Sequence, residues 1–301
     1  MTSEHLGKVR FEKQGSMTIG HFKAMANPCS IFIESDNSSD AVKKAIRLMA
    51  DEVWRIEQKY SRYLADSVVS KINNANGLPI PLDAETYHLL QLSDLLWQES
   101  GGKFDISSGI FRKIWHFNQQ QKIPTQSEVS AQLAHVGWDK ISFNKQDITL
   151  PIKMQLDFGG IGKEYAADRC ASLATGDFGE SVLVNLGGDV VALGPRADQT
   201  PWQIGIETKQ GGGKVWKRIP LSKGAIATSG DVYKSIVYKG KRYGHIINAL
   251  TGYPVGNSPS TVTVAAPNCT EAGMLSTLAS LQGQQAEQFL EEQGRPFWIQ
   301  R

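Results

Sequence analysis

The segment SVLVNLGGDVVALG, residues 181–194, sets short apolar runs on either side of Gly187-Gly188. It reads as two strands joined by a tight turn. More strand-like segments follow: WQIGIE (202–207), VWKRIPL (215–221), GAIATSGD (224–231), SIVYKGKRYGHII (235–247) with a hairpin tip at Lys239-Gly240-Lys241, and STVTVAA (260–266). Upstream the periodicity is helical: Val42, Ala45, Ile46, Met49, Val53, Ile56 and Tyr60 recur at three- and four-residue spacing, with Ser39 or Asp40 as N-cap. A second helix spans DAETYHLLQLSDLLWQES (83–100) and stops at Gly101-Gly102, and a short third lies after Pro124, capped by Thr125 or Ser127. Residues 18–34 read as extended around Asn27-Pro28, ISFNKQDITL (141–150) as a hairpin about Asn144 to Asp147, and KMQLDF (153–158) as a strand. Two helices, TEAGMLSTLASLQG (270–283) and QQAEQFLEEQ (284–293), close the chain. Helices lead, strands cluster and helices return, which predicts an α+β fold over a regular strand-helix alternation.

The 301 residues, 41% hydrophobic and 21% charged, suit a folded core of one large or two modest domains. Basic and acidic residues number 32 and 30 and are spread along the chain, so neither a nucleic acid nor an anionic membrane is an expected partner. Cys29, Cys170 and Cys269 have neither metal-ligand spacing nor an even count, and read as buried small hydrophobes. The seven tryptophans read as packing residues. A polar opening segment, 1–17, precedes one domain, 18–301, with no leader-like or membrane-spanning run. The expected location is the cytoplasm; a periplasmic protein from which a leader had been removed would look the same.

Chemistry gathers at three glycine turns. In LDFGGIGKEYAADR (156–169), Gly159, Gly160 and Gly162 lie between an apolar lead-in and a helix from about Lys163 to Ala174. Freed amides, the helix N-terminus and Lys163 could hold an anion there, or the turn could be purely structural. The spacing is neither G-x-G-x-x-G nor a P-loop. Asp157 could bond a ligand or cap the turn. Gly187-Gly188-Asp189 is the second turn, read as Asp189 bonding its own backbone, and ATSGD (227–231) is the third. Three such turns in one half of the chain resemble a site built from several loops. His245 opens the apolar segment HIINALTG and is either a packed residue or a general base.

In order, FKAMANPC, YSRYLADSVVSKIN, GGKFDISSG, LDFGGIGKEYAADR, VNLGGDVVALG, AIATSGD and KRYGHIINALTGYPV resemble the ApbE family of FAD:protein FMN transferases, from about residue 20 to 285. The resemblance implies an α+β fold of mixed sheets with flanking helices, and an FAD cleft between the helical N-terminal part and the strand-rich C-terminal part. The implied reaction splits the pyrophosphate of FAD with Mg2+ and joins FMN to a Thr or Ser of an acceptor flavoprotein. It also implies FAD contacts at Met25, Tyr63, Lys103, Phe104, Asp105, Asp157, Lys163 and Ile247, with His245 as the base and metal contacts at the Gly160 carbonyl and Thr277. Two departures stand out. The family's late helix reads A-D-A-L-[SA]-T, where AGMLST (272–277) puts Gly273 in place of the carboxylate ligand, and HIINALTG replaces an Asp-Pro-basic run with Asn248-Ala249-Leu250. Glu271 projects some 200° around the helix from Gly273 and is a poor substitute. On this reading, Gly273→Asp would raise Mg2+-dependent turnover. An FAD-binding protein without transfer, serving as carrier or sensor, and a pyrophosphatase giving FMN and AMP are the alternatives.

Overall fold

In the computed structural model, which describes residues 7–117, 122–174 and 181–301, the 181–194 hairpin lies at the centre of an eight-stranded sheet. Its strands are β1 (Arg10–Gln14), β2 (Met17–Ala24), β3 (Asn27–Glu34), β4 (Val182–Leu186), β5 (Asp189–Ala192), β6 (Gly224–Gly230), β7 (Thr261–Ala266) and β8 (Phe297–Gln300). Spatial order equals chain order, and every neighbouring pair is antiparallel. The sheet is therefore a meander, and everything else is inserted into its connections. Helices α1 (Ser39–Tyr60), α2 (Val68–Asn73), α3 (Ala84–Glu99), α4 (Gln126–Leu133) and α5 (Gly162–Ser172) all fall between β3 and β4. Helices α6 (Cys269–Gln282) and α7 (Ala286–Gln293) join β7 to β8.

Both faces of the central strands are covered. Val182, Val184, Leu186, Ala225 and Ala227 face the main core with α1, α5 and α6, while Leu183, Val190, Ala192 and Ile226 face a second core under the 202–207/215–221 hairpin. This period-two split explains why β4 and β5 read as unbroken apolar runs although the sheet is antiparallel. The first helix fulfils its periodicity, with Ile46, Met49, Val53 and Ile56 fully buried. Each such side chain contributes about 1.5–3 kcal/mol of burial. Its N-cap is Ser38, one residue before the expected position, and accepts from the Ala41 amide. Thr125 caps α4 in a capping box with Glu128, and the three cysteines are free and buried.

Other expectations need correction. Residues 153–158 form no strand: the Asn73 side chain takes the Leu156 amide at 2.7 Å and donates to its carbonyl at 3.0 Å, replacing a ladder neighbour. Helix α5 ends at Ser172, two residues before the expected limit. Strand β1 lies inside the polar opening segment, and β8 was not anticipated. No helix among the described residues is long and apolar enough to cross a membrane.

Candidate active site

The first glycine turn is held from both sides. The Asp157 amide donates to the Ile106 carbonyl at 2.9 Å, and the Gly162 amide to the Phe158 carbonyl at 2.8 Å. Ile161 is the N-cap of α5 and offers no side-chain oxygen, so no side chain caps the first turn of this helix. A Cβ on Gly160 would stand 2.9 Å from Phe104 Cε2, which makes glycine the condition for Phe104 lying against the turn. Gly160→Ala is expected to displace that ring and cost about 1–3 kcal/mol of stability by overpacking, read as a lower urea midpoint.

Asp157 belongs to a cluster that sequence reading only half anticipated. Its carboxylate pairs with Arg62 and lies 3.4 Å from Arg112 Nη2, while its other oxygen accepts the Gly159 amide at 3.0 Å. Tyr63, 79% exposed, has both guanidinium carbons near its ring, at 4.9 and 5.6 Å. A largely exposed aromatic ring beside two arginines suits a planar ring carrying phosphate. Arg62 and Arg112 gave no signal in the sequence, since single arginines on polar segments carry none.

Met25 sits in the two-residue turn of the β2–β3 hairpin, where Met25 and Ala26 both have positive φ, 52° and 60°. Such a turn normally takes Asn or Gly, so non-glycine residues here store strain. The Met25 amide donates to Glu57 at 2.8 Å, and the Gly187 amide to the Pro28 carbonyl at 3.1 Å, so this turn and the second glycine turn share one end of the sheet.

Asp189 does not serve its own turn as expected. It is 1% exposed, pairs with Lys163 through one oxygen and accepts the Thr228 amide through the other at 3.1 Å. Ser229, next to Thr228, bonds the hydroxyls of Thr277 at 2.9 Å and Ser276 at 2.8 Å. The three glycine turns and α6 therefore meet at one place. Burial disfavours charge on Lys163, but the adjacent Asp189 and Glu164 carboxyls outweigh it and hold its pKa above the ordinary lysine range. Burial, reinforced by the Asp189 charge, pushes the Glu164 carboxyl well above its usual range.

A divalent cation would find suitable oxygens here. Glu164 Oε2 is buried with no hydrogen-bond donor among the described residues, and the surroundings offer carboxyl and hydroxyl oxygens, with the buried Cys269 thiol near the same carboxyls. Among the described residues no three His, Cys, Asp or Glu side chains group to hold a metal, so such a site must also use hydroxyl and backbone oxygens. Glu271, the carboxylate nearest Gly273 in sequence, points away and pairs with Arg295 at 2.7 Å.

The remaining residues lie along the segment leading to His245. The Ala249 amide donates to the Lys103 carbonyl at 2.9 Å, tying GGKFD to HIINALTG, and Lys103 Nζ reaches Gln282 at 2.7 Å. Asp105 is buried, and its two oxygens accept the Ser107 and Trp138 amides at 2.7 and 2.8 Å. It therefore shapes the loop, and its side chain is not free for a ligand. Ile247 pairs with Pro254 in a short ladder. Asn248 caps its own turn by accepting the Leu250 amide at 2.9 Å, which accounts for an asparagine in the Asn248-Ala249-Leu250 run.

His245 stands edge-on to Phe117, 6.4 Å between centroids, with Nδ1 buried and without a hydrogen-bond partner among the described residues. Burial, and then the Lys234 charge, lower its pKa to about 4. The ring is thus neutral at pH 7, with one ring nitrogen free of a proton. An unfolded histidine titrates near 6.5, so between about pH 4 and 6.5 the unfolded chain binds more protons. Stability from this group is complete above that window and is lost as pH falls through it. The urea midpoint of the wild type is expected to drop between pH 7 and 4.5 more steeply than that of His245→Gln.

The sequence profile described as the ApbE family matches residues 25–297. A Haemophilus influenzae protein named FAD:protein FMN transferase is 31% identical over 234 residues, 74% of this chain and 68% of that protein. A Treponema pallidum protein of the same name is 27% identical, covering 85% and 76%. The crystal structure of the ApbE protein from Thermotoga maritima superposes with a TM-score of 0.83 at 28% identity, covering 97% of this chain and 94% of the other. Flavin transferase ApbE from Vibrio cholerae shares the fold, with a TM-score of 0.81 at 24% identity, covering 96% and 94%.

Proposed function

The chain belongs to the ApbE family, and from that premise we propose that it transfers the FMN part of FAD to a threonine or serine hydroxyl of an acceptor flavoprotein. The observation that carries this reading is the convergence of Lys163, Asp189, Thr228, Ser229 and Thr277 from three glycine turns and a late helix. Tyr63, with Arg62 and Arg112, offers the ring and its phosphate a platform, and Met25, Phe104 and Ile247 offer apolar contact. The amides opening α5, not capped by a side chain, would suit anionic oxygen of the pyrophosphate, and Lys163 is held in place by Asp189. His245, neutral and proton-poor, takes the proton as the acceptor oxygen bonds the FMN phosphorus and the bond to AMP breaks. Mg2+, held by the Gly160 carbonyl and the Thr277 hydroxyl, would neutralise charge on the pyrophosphate. Lys103 and Asp105 act by holding the 101–105 loop against α6 and Trp138.

The test is a product balance with FAD, with and without Mg2+, in the presence of acceptor proteins. Transfer gives AMP matched by flavin-labelled acceptor. AMP matched by free FMN would make the protein a pyrophosphatase, and tight FAD binding with neither product would make it a carrier or sensor.

A further inference from the structure

The space above Gly273 is filled from another helix. A Cβ built on Gly273 would lie 2.3 Å from Glu164 Cγ and 3.0 Å from its Cδ, so the Glu164 side chain runs from α5 across the face of α6 at that point. Both residues are buried, and Glu164 Oε2 has no hydrogen-bond donor among the described residues, its carboxyl lying beside that of Asp189. Two carboxyls side by side in a packed interior repel when both are ionised, unless a proton or a cation lies between them. Gly273 and Thr277 are four residues apart on α6, so the place filled by Glu164 and the Thr277 side chain share one face of that helix. When ionised, Glu164 and Asp189 carry two negative charges against the single positive charge of Lys163 beside them. A hard divalent cation complements that surplus and that donor set.

We propose that Glu164 supplies the anionic ligand of the cation site, its carboxylate reaching from α5 into the place over Gly273 that a side chain of α6 would otherwise occupy. This rests on the flavin-transfer reading only for the nucleotide that shares the cation. It changes the expectation for Gly273→Asp: with Glu164 in place the new side chain has no room, and the variant loses stability without gaining cation affinity.

Mn2+ serves as the probe, titrated by electron paramagnetic resonance into the full chain saturated with FAD, alongside metal-free FAD binding by flavin fluorescence. Wild type is expected to bind Mn2+ at one site. Glu164→Gln keeps the shape and removes the charge, and is expected to weaken Mn2+ at least about tenfold while metal-free FAD affinity stays. The double variant Glu164→Gly with Gly273→Asp moves the carboxylate to α6 and is expected to recover most of the affinity; it also stands in if Glu164→Gln does not fold. Wild-type Mn2+ affinity in Glu164→Gln, no Mn2+ bound by wild type, or a folded double variant that binds none would each overturn the proposal. Mn2+ held through Glu164 by a protein that never labels an acceptor would leave this inference standing and remove the transferase reading. Labelling by wild type together with unchanged Mn2+ affinity in Glu164→Gln would do the reverse.

Discussion

His245→Ala is expected to lower the rate of FMN transfer by about 10²–10⁴-fold, the range for loss of a positioned general base, while FAD binding changes little. The reasoning is local. The ring is neutral at pH 7 because burial lowers its pKa to about 4, and its Nδ1 has no hydrogen-bond partner among the described residues. Phe117 sets the ring edge-on, and the Ile247–Pro254 ladder that follows fixes the chain beyond it. Single-turnover kinetics separate the two effects: chemistry should slow while the FAD dissociation constant holds. A transfer rate within a few-fold of wild type would remove His245 from the reaction and return it to a packing role.

Asp189→Ala is expected to destabilise the protein by up to about 3–5 kcal/mol, because it takes from the Lys163 ammonium the buried carboxylate it is paired with and leaves only the neighbouring Glu164 carboxyl to balance it. The Thr228 amide loses its acceptor in the same change. Against a total stability of about 5–15 kcal/mol for a typical domain, this is a large share. The double variant Asp189→Leu with Lys163→Met removes both charges and is expected to regain much of the lost stability, though not activity. Urea denaturation reads both. A single variant within about 1 kcal/mol of wild type would show that water reaches the pair and that it does not organise the site.

The sequence made the sheet legible where local chemistry dominated. Gly187-Gly188 between apolar runs, Lys239-Gly240 at a hairpin tip and a cap at Thr125 or Ser127 each rest on a few residues, and the structure has both hairpins there and Thr125 as the cap. Residues 153–158 misled because an extended apolar segment has the same pattern whether its backbone bonds a strand or the Asn73 side chain. Strand β8 is four residues long, too short for periodicity to separate from a loop, and it exists because β7 offers it a ladder.

The site divides the same way. The three glycine turns marked its walls, and their convergence followed from reading them together. The partners of those turns were not visible, because they are set by tertiary contact. Asp189 looked like a turn residue since its local role is plausible, yet its oxygens go to Lys163, 26 residues away, and Thr228, 39 away. Spacing along α6 offers Glu271 as the carboxylate nearest Gly273, whereas Glu164 reaches that place from α5, a placement no spacing rule contains.

The central claim is that flavin leaves FAD as FMN and ends on an acceptor hydroxyl. Intact-mass measurement of an acceptor flavoprotein, after incubation with this protein, FAD and Mg2+, tests it most directly. The account predicts a mass gain of one phosphoester-linked FMN per acceptor, matched by one AMP released and abolished when the acceptor threonine or serine is changed to alanine. An unmodified acceptor across candidate flavoproteins, with FAD bound by the wild-type protein and Mg2+ present, would contradict it.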